Sequence, residues 1–447
     1  MNSAKLKLTA IFILLTIAIA ACGQNDNINL IYVDGEYLQE VNLEIWYHSH
    51  DNISDLFAPI FEMGNPHINI NARTFNNLTD YTDQLNISLM AGTGPDLFMH
   101  RSYADPNFIR FMADWFPIMQ SQPNFNEDNY FMNVFHASSF QGALYGFPTH
   151  FNMGLLAANT SVPGLSDLLG QRSEVGINAK DLIDIAQSIN SDFYIHQTFD
   201  DIGVTIPNIF SGGYILNFMD IESGMVDLSN PQFINLITTA KSLSTPSITF
   251  ERGIHINSSE REVLLSQQYL FAFYTPNMPQ YLLNIGNLRF SGHIPLVSHR
   301  GEIIIEPFAP WALNANTTPK QRQAAWEFIY FMQNPDFVPI LGTNQPMIPT
   351  YKPLMRSVFR QNIPNDPAIN ANNWDFVGTR HEAIDNGIAI LESFADMPML
   401  DTRAAIPEPI TMAIYEIMMQ FQEGFITAEQ AAENLQNRIT LIFMELN

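Results

Sequence analysis

The spacing of apolar residues changes between the strand period and the helix period over residues 41–99. This pattern predicts, in chain order, a strand in 41–50, a helix around 56–61, a strand at 68–71, a helix over 78–89 and a strand at 97–99. Gly92, Gly94 and Pro95 separate the last two elements, because glycine and proline end helices. Strands that alternate with helices are typical of an α/β fold with a mainly parallel sheet.

The rest of the chain continues the mixture of helices and short strands. An apolar run predicts a strand at 271–274, and helical spacing predicts helices at 179–190, 231–244, 259–268 and 324–332. Near the C-terminus, Thr427 and Gln430 have the spacing of a capping box. Leu435, Ile439 and Ile442 continue one apolar face behind it, which predicts a terminal helix.

The N-terminal segment has the composition of a secretory signal. Two lysines precede an uncharged apolar run of about thirteen residues, Leu8–Ala20, which is shorter than the roughly twenty that a membrane-spanning helix needs. Ile19–Cys22 resembles a bacterial lipobox. This implies a signal peptide over 1–21, a lipidated Cys22 with acyl chains such as palmitate, and a tether over 22–41, so that the protein is exported and anchored to the outer face of the cell membrane. The alternative is a plain signal peptide cleaved near Ala21.

Composition disfavours several classes of partner. The chain of 447 residues has 45 acidic and 20 basic residues and a net charge of −25. This balance argues against nucleic acid, which is bound through Lys and Arg, and against recruitment to anionic lipid by a basic patch. Cys22 is the single cysteine, so the chain forms no internal disulfide. Roughly 425 residues follow the signal segment, more than one compact core usually covers, which predicts two lobes.

Six segments, in a fixed order, carry a resemblance to a known family. They are LEIWYHS at the first strand, MAGTGPDLFM, YGFPTHFNMGLLAANTSV at 145–162, SGGY at 211–214, PFAPWALNANTTPKQRQAAWEFIYFM at 307–332 and EGFITAEQAAENLQ at 423–436. Together they resemble the extracellular solute-binding proteins of ABC importers, the family that includes maltodextrin-binding protein. The segments span nearly all of the chain after the signal peptide.

The resemblance implies an α/β, two-lobe periplasmic-binding-protein-like fold, with a ligand cleft between lobes that crossover hinges join. Lobe 1 is expected at 42–148 and 297–341, and lobe 2 at 149–296 and 342–447. The crossovers are expected at YGFPTHFN, near 290–296 and near 334–341. Hinge closure around a ligand is a known two-state motion of periplasmic binding proteins.

Candidate ligand contacts lie at the ends of the expected strands and in the crossovers, where open α/β sheets bind ligands. They are His48, His50, His100, Arg101, Tyr103, His150, Asn152, Phe210, Tyr274 and Trp311. Asn152 falls where the resemblance to maltodextrin-binding protein implies a ligand-contacting acidic residue, and this departure leaves the identity of the sugar open. Packing in the core is the alternative for each candidate. Trp46, Asp96 and Trp326 are predicted to be structural.

The leading function is capture of a carbohydrate, an oligosaccharide or glycoside, by a monomeric substrate-binding lipoprotein that delivers it to a membrane permease. We expect no cofactor and no enzymatic activity. A surface enzyme acting on glycosides is one alternative, but the sequence has no matched acid pair on a recognised scaffold and no GxSxG, HExxH or Walker A motif. The histidines at 48, 50, 100 and 150 raise metal binding as a second alternative, without any HxxxH pair among them. A peptide ligand and a sensor role are also open.

Overall fold

The structure of the chain is a computed structural model. It describes residues 30–33, 36–48, 56–100, 106–158, 162–170, 175–189, 194–198, 214–221, 223–243, 269–274, 293–298, 300–308, 310–336, 347–362 and 380–446. The expected lipidation site Cys22 and the expected helix at 259–268 lie outside the described residues. So do four candidate ligand contacts, His50, Arg101, Tyr103 and Phe210.

The strands are short and are distributed along the whole described part of the chain. They are β1 (Leu30–Val33), β2 (Glu36–Gln39), β3 (Val41–His48), β4 (Ile68–Phe75), β5 (Leu97–Met99), β6 (His150–Met153), β7 (Leu155–Ala158), β8 (Tyr194–Thr198), β9 (Met219–Asp220), β10 (Met225–Val226), β11 (Tyr269–Tyr274), β12 (His293–Pro295), β13 (Ile303–Phe308), β14 (Trp311–Leu313), β15 (Ile348–Pro349) and β16 (Met399–Asp401). The four strands that the apolar spacing predicted are confirmed as β3, β4, β5 and β11.

The helices alternate with these strands. They are α1 (Ala58–Gly64), α2 (Leu78–Met90), α3 (Pro106–Ile109), α4 (Trp115–Gln120), α5 (Met132–Ala137), α6 (Leu165–Leu169), α7 (Ala179–Ser188), α8 (Pro231–Leu243), α9 (Pro319–Phe331), α10 (Lys352–Asn362), α11 (Arg380–Ser393), α12 (Thr402–Ala405), α13 (Glu408–Gln422) and α14 (Ala428–Leu446). Short 3₁₀ turns lie at Glu127–Asn129, Tyr214–Asn217 and Phe394–Asp396. The capping box before α14 is confirmed, because Thr427 N–H donates to Gln430 Oε1 (2.9 Å) and Gln430 N–H donates to Thr427 Oγ1 (3.2 Å).

The chain divides into two compact units, of which the first comprises Met1–Met99, Arg110–Gln122 and Trp311–Met332. Its sheet has the strand order β14-β5-β3-β4. Strand β3 is parallel to both β4 and β5, and β14 is antiparallel to β5. The parallel α/β arrangement that the spacing predicted is therefore confirmed for β3, β4 and β5.

Asp96 holds the turn that leads into β5. Its carboxylate accepts hydrogen bonds from the backbone N–H of Glu44 (2.9 Å) and from Nε2 of Gln321 (2.8 Å). Burial raises the pKa of Asp96 above its ordinary value, and the hydrogen bond from the Glu44 backbone opposes that rise. Because these contacts tie the turn to β3 and α9, the structural interpretation of Asp96 is confirmed.

The second unit comprises His100–Ile109, Pro123–Pro310 and Gln333–Asn447. One of its sheets has the order β12-β7-β11-β8, with β11 parallel to β8 and antiparallel to β7. Another has the order β15-β6-β13-β16, with β13 antiparallel to β6 and parallel to β16. Only Gly154 separates β6 from β7, so one stretch of chain supplies a strand to each sheet.

One face of the β15-β6-β13-β16 sheet is covered by a hydrophobic core. Phe151 and Met153 of β6 and Ile303 and Ile305 of β13 are all buried in it, together with side chains of α5, α10 and α11. Neighbouring residues of a strand point to opposite faces of the sheet. The residues between these core positions therefore belong to the other face.

The structure adds detail within segments that the sequence assigned to a tether and to lobe 1. Residues 30–33 and 36–39, in the expected tether, form the antiparallel strands β1 and β2, in which Tyr32 is opposite Tyr37. The sequence between these two strands is Asp34-Gly35, a pair that favours a two-residue hairpin turn. Residues 123–148 and 297–310, assigned from the resemblance to lobe 1, belong to the second unit. The hinges and lobe boundaries stay predictions.

Candidate functional site

Aromatic side chains gather where β3 and β4 of the first unit end. The ring centroids of Trp46 and Phe75 are 5.3 Å apart, and those of Phe75 and Tyr81 are 5.2 Å apart. His48, a candidate ligand contact, is the last residue of β3, and its ring centroid lies 6.3 Å from that of Tyr81. Trp46 is 5% exposed, so the prediction that it belongs to the core is confirmed.

Tyr81 fixes this cluster to the backbone of two strands. Its hydroxyl donates to the carbonyl oxygens of Met99 and, at 3.3 Å, of Trp46. Burial raises the pKa of Tyr81 above its ordinary value, so the phenol stays protonated as a hydrogen-bond donor. The Arg73 guanidinium lies over the rings of Trp46 and Phe75, at 4.8 and 4.3 Å from their centroids. The cluster therefore lies beside His48 at the end of β3.

In the second unit, the face of the β15-β6-β13-β16 sheet opposite the hydrophobic core carries two of the candidates. His150 and Asn152 alternate with the core residues Phe151 and Met153 along β6. In the register of the sheet, His150 is opposite Phe308 and Asn152 is opposite Glu306. Glu306 is exposed, and the other three side chains are half-buried. This face, defined by His150, Asn152, Glu306 and Phe308, is called the polar sheet face below.

The imidazole of His150 is neutral. Its Nδ1 lies 3.1 Å from the hydroxyl oxygen of Thr149, and burial lowers the pKa of His150 to about 4. Thr350, the residue that follows β15, holds this position, because its buried hydroxyl shares its proton between the carbonyl oxygens of Pro148 (2.8 Å) and Thr149 (3.0 Å). A neutral imidazole donates and accepts hydrogen bonds without attracting anions.

Asn152 contributes an acceptor that the described residues leave unsatisfied. Its side-chain oxygen Oδ1 is buried, and no donor among the described residues is within hydrogen-bond distance of it. Buried polar atoms in folded proteins nearly always have a partner. An unsatisfied acceptor on an otherwise half-buried polar face is suited to a ligand that donates a hydrogen bond.

The other described candidates lie elsewhere on the two units. Trp311, in β14 of the first unit, is 3% exposed, and its carbonyl accepts a hydrogen bond from Trp115 Nε1 (2.8 Å). His100 donates its backbone N–H to Pro310 (3.1 Å), and its ring lies edge-on to Phe108 with the centroids 4.8 Å apart. Tyr274 ends β11 and is paired with Leu155 of β7. The structure thus brings together His150 and Asn152, while the roles of the remaining candidates stay predictions.

Sequence reasoning missed Glu306 and Phe308. The segment IIIEPF could have indicated a strand with Glu306 and Phe308 on one face, because these residues alternate with the buried Ile303 and Ile305 in the period of a strand. What local periodicity does not reveal is the partner strand. The pairing of β13 with β6 places Glu306 and Phe308 beside the candidates His150 and Asn152.

The described residues contain no group of three or more His, Cys, Asp or Glu side chains that could hold a metal ion. None of the described helices is both long enough and apolar enough to cross a membrane.

Comparison with solved structures identifies the fold. The structure is similar to a family 1 extracellular solute-binding protein from Alicyclobacillus acidocaldarius, with 14% identity, a TM-score of 0.56, and coverage of 90% of this chain and 98% of that one. It is also similar to the sugar-binding protein MalE from Xanthomonas citri, with 14% identity, a TM-score of 0.57, and coverage of 91% and 98%. A cyclic α-maltosyl-1,6-maltose binding protein from Arthrobacter globiformis matches at 13% identity and a TM-score of 0.52, with coverage of 91% and 100%.

Sequence comparison adds no relative. No protein-family model matches the chain, and no curated protein matches it significantly. The structural likeness, at such low identity, establishes the fold alone. The chain has the fold of the extracellular solute-binding proteins, so the predicted two-lobe, periplasmic-binding-protein-like fold class is confirmed.

Proposed function

We propose that the protein is the substrate-binding component of an ABC importer, and that it captures a carbohydrate and delivers it to a membrane permease. The observation that carries this proposal is the fold, because the similar structures include proteins named as sugar-binding and as maltosyl-maltose binding. Fold by itself does not decide function, so the polar sheet face provides the second support.

The polar sheet face has the chemistry that a sugar needs. Sugars present apolar C–H surfaces beside hydroxyl groups, and binding sites combine aromatic side chains with a few precisely placed polar groups. Phe308 supplies an aromatic ring, and His150 and Asn152 supply neutral hydrogen-bonding groups next to it. The candidates His48, His100, Tyr274 and Trp311, with those outside the described residues, belong to the same proposal as further ligand contacts.

Binding is tested by thermal denaturation of the mature lipoprotein in a detergent without a sugar headgroup. A panel of mono- and oligosaccharides is compared with peptides and with zinc. A sugar at a hundred times its dissociation constant is expected to stabilise the native state by about 2.7 kcal/mol, which raises the melting temperature. A shift with peptides or zinc alone would contradict the proposal.

The proposed binding protein releases its ligand unchanged. Its expected role is transport, and the similar structures above are named as binding proteins. An oligosaccharide that binds is therefore expected to be recovered intact after prolonged incubation. Chromatographic detection of shorter products, absent in a heat-denatured control, would favour the alternative of a glycoside-acting enzyme.

Anchoring by lipid at Cys22 belongs to the same proposal, together with action as a monomer at the outer face of the cell membrane. The apolar run followed by Ile19–Cys22 supports it. Two or more acyl chains hold a protein at a membrane where one chain does not. Replacing Cys22 with alanine is expected to move the protein from the membrane fraction to the soluble fraction. Retention of the variant in the membrane fraction would contradict the anchor and leave sugar binding untouched.

A further inference from the structure

The polar sheet face presents hydrogen-bond acceptors side by side. Asn152 Oδ1 is buried without a donor among the described residues. Glu306 is directly opposite Asn152 in the β6-β13 register, and side chains directly opposite each other on one face have Cβ atoms about 4.5–5.5 Å apart. A carboxylate has acceptor sites for about four hydrogen bonds, and Glu306 brings these sites to the polar sheet face.

Among the four side chains that define the polar sheet face, Glu306 is the acidic one. Glu306 is an exposed carboxylate, while Asn152 and Phe308 carry no charge. The low pKa of His150 keeps its imidazole neutral, so this ring does not offset the negative charge. Ile304 and Leu400, opposite each other on β13 and β16 and on the same face, are apolar. An acidic group placed beside Glu306 would meet a like charge, which is unfavourable.

We infer that Glu306 and Asn152 together select a sugar that donates hydrogen bonds and carries no acidic group, and this inference rests on the proposed function. Hydroxyl groups of the sugar donate to Asn152 Oδ1 and to the Glu306 carboxylate. Phe308 packs against the sugar beside them. Uronic acids and other acidic sugars are rejected by the Glu306 charge. Glu306 is thereby a specificity-determining residue.

The test compares sugars of matched length and different charge by isothermal titration calorimetry on the mature lipoprotein. The probes are oligosaccharides of glucose, of galactose, of glucosamine and of galacturonic acid. The expected result is binding of at least one neutral or amino series, and at least about tenfold weaker binding of the galacturonate series. Tighter binding of galacturonate than of the other series would overturn the inference.

Variants of Glu306 and Asn152 are then measured with the best-binding sugar. Glu306→Leu and Asn152→Leu are each expected to weaken binding at least about tenfold, because a sugar hydroxyl is left without its acceptor. Glu306→Gln keeps an acceptor oxygen and removes the charge, so it is expected to weaken neutral sugars by less than Glu306→Leu and to reduce discrimination against galacturonate. Glu433→Gln, at an exposed position of α14, is the matched control for net charge and is expected to leave both affinities unchanged.

The melting temperature of the ligand-free variant distinguishes a binding role of Asn152 from a structural role. Because its Oδ1 has no donor among the described residues, Asn152→Leu is expected to leave the melting temperature of the ligand-free protein unchanged or raised, while sugar affinity falls. Unchanged sugar affinity in both Asn152→Leu and Glu306→Leu would overturn the inference and leave the carbohydrate function standing. Absence of binding by any sugar would overturn both.

Discussion

Replacing Trp326 with alanine is expected to lower the free energy of unfolding by about 3–5 kcal/mol. Trp326 is completely buried in α9, and its ring stacks on Tyr330 with the centroids 6.0 Å apart. The helix packs against β3 and α4 of the first unit, so the substitution leaves a cavity beneath a central strand. Equilibrium unfolding in urea, followed by circular dichroism, measures the difference.

Gln323, on the same helix, provides the matched control. It is exposed, and its side chain donates a surface hydrogen bond to Glu327 (2.9 Å). Gln323→Ala is expected to change stability by no more than about 0.5 kcal/mol, as surface substitutions usually do. A loss of less than about 1 kcal/mol for Trp326→Ala would contradict the burial of this side chain, because truncating a well-packed tryptophan is far more costly.

Trp326 illustrates which features the sequence could predict. Its place in the periodic segment AAWEFIYFM predicted a buried side chain, and the structure confirms it. Periodicity likewise predicted β5 (Leu97–Met99) to the residue and α2 (Leu78–Met90) to within one residue of its C-terminal end. These features depend on neighbours within a few positions of the chain, which is the range over which helix and strand periods act.

The polar sheet face depends on contacts that the sequence does not reveal. Asn152 and Glu306 are separated by roughly 150 residues and become neighbours only because β6 pairs with β13. The candidates His150 and Asn152 were found through the family resemblance and their position in a crossover. Nothing local marked Glu306 as their partner. For the same reason the hydrogen bond that ties Thr350 to Pro148 had no signal in the sequence.

The low pKa of His150 makes a prediction about stability in acid. In the native state the pKa is about 4, and its ordinary value is 6.5, so the unfolded chain binds more protons between these two values. The contribution of His150 is fully present above pH 6.5 and is lost as the pH falls towards 4. Its size is expected to be about 2–3 kcal/mol, with an allowance for the partial exposure of the side chain.

Comparison with His150→Gln isolates this contribution from the many carboxylates, which titrate in both proteins. The free energy of unfolding of the wild type minus that of the variant is expected to fall by about 2–3 kcal/mol between pH 7 and pH 4, as measured in urea at several pH values. His136→Gln, the same change at an exposed position of α5, is expected to alter stability by no more than about 0.5 kcal/mol at pH 7.

A difference that stays constant between pH 7 and pH 4 would contradict the burial of a neutral imidazole at this position. The affinity for acidic sugars would also change, because a solvated His150 would become cationic in mildly acidic solution and attract acidic sugars. A neutral His150 leaves Glu306 as the charged side chain among the four residues of the polar sheet face. Burial of the His150 ring therefore has two expected consequences, a loss of stability in acid and a neutral side chain that leaves the Glu306 charge to disfavour acidic sugars.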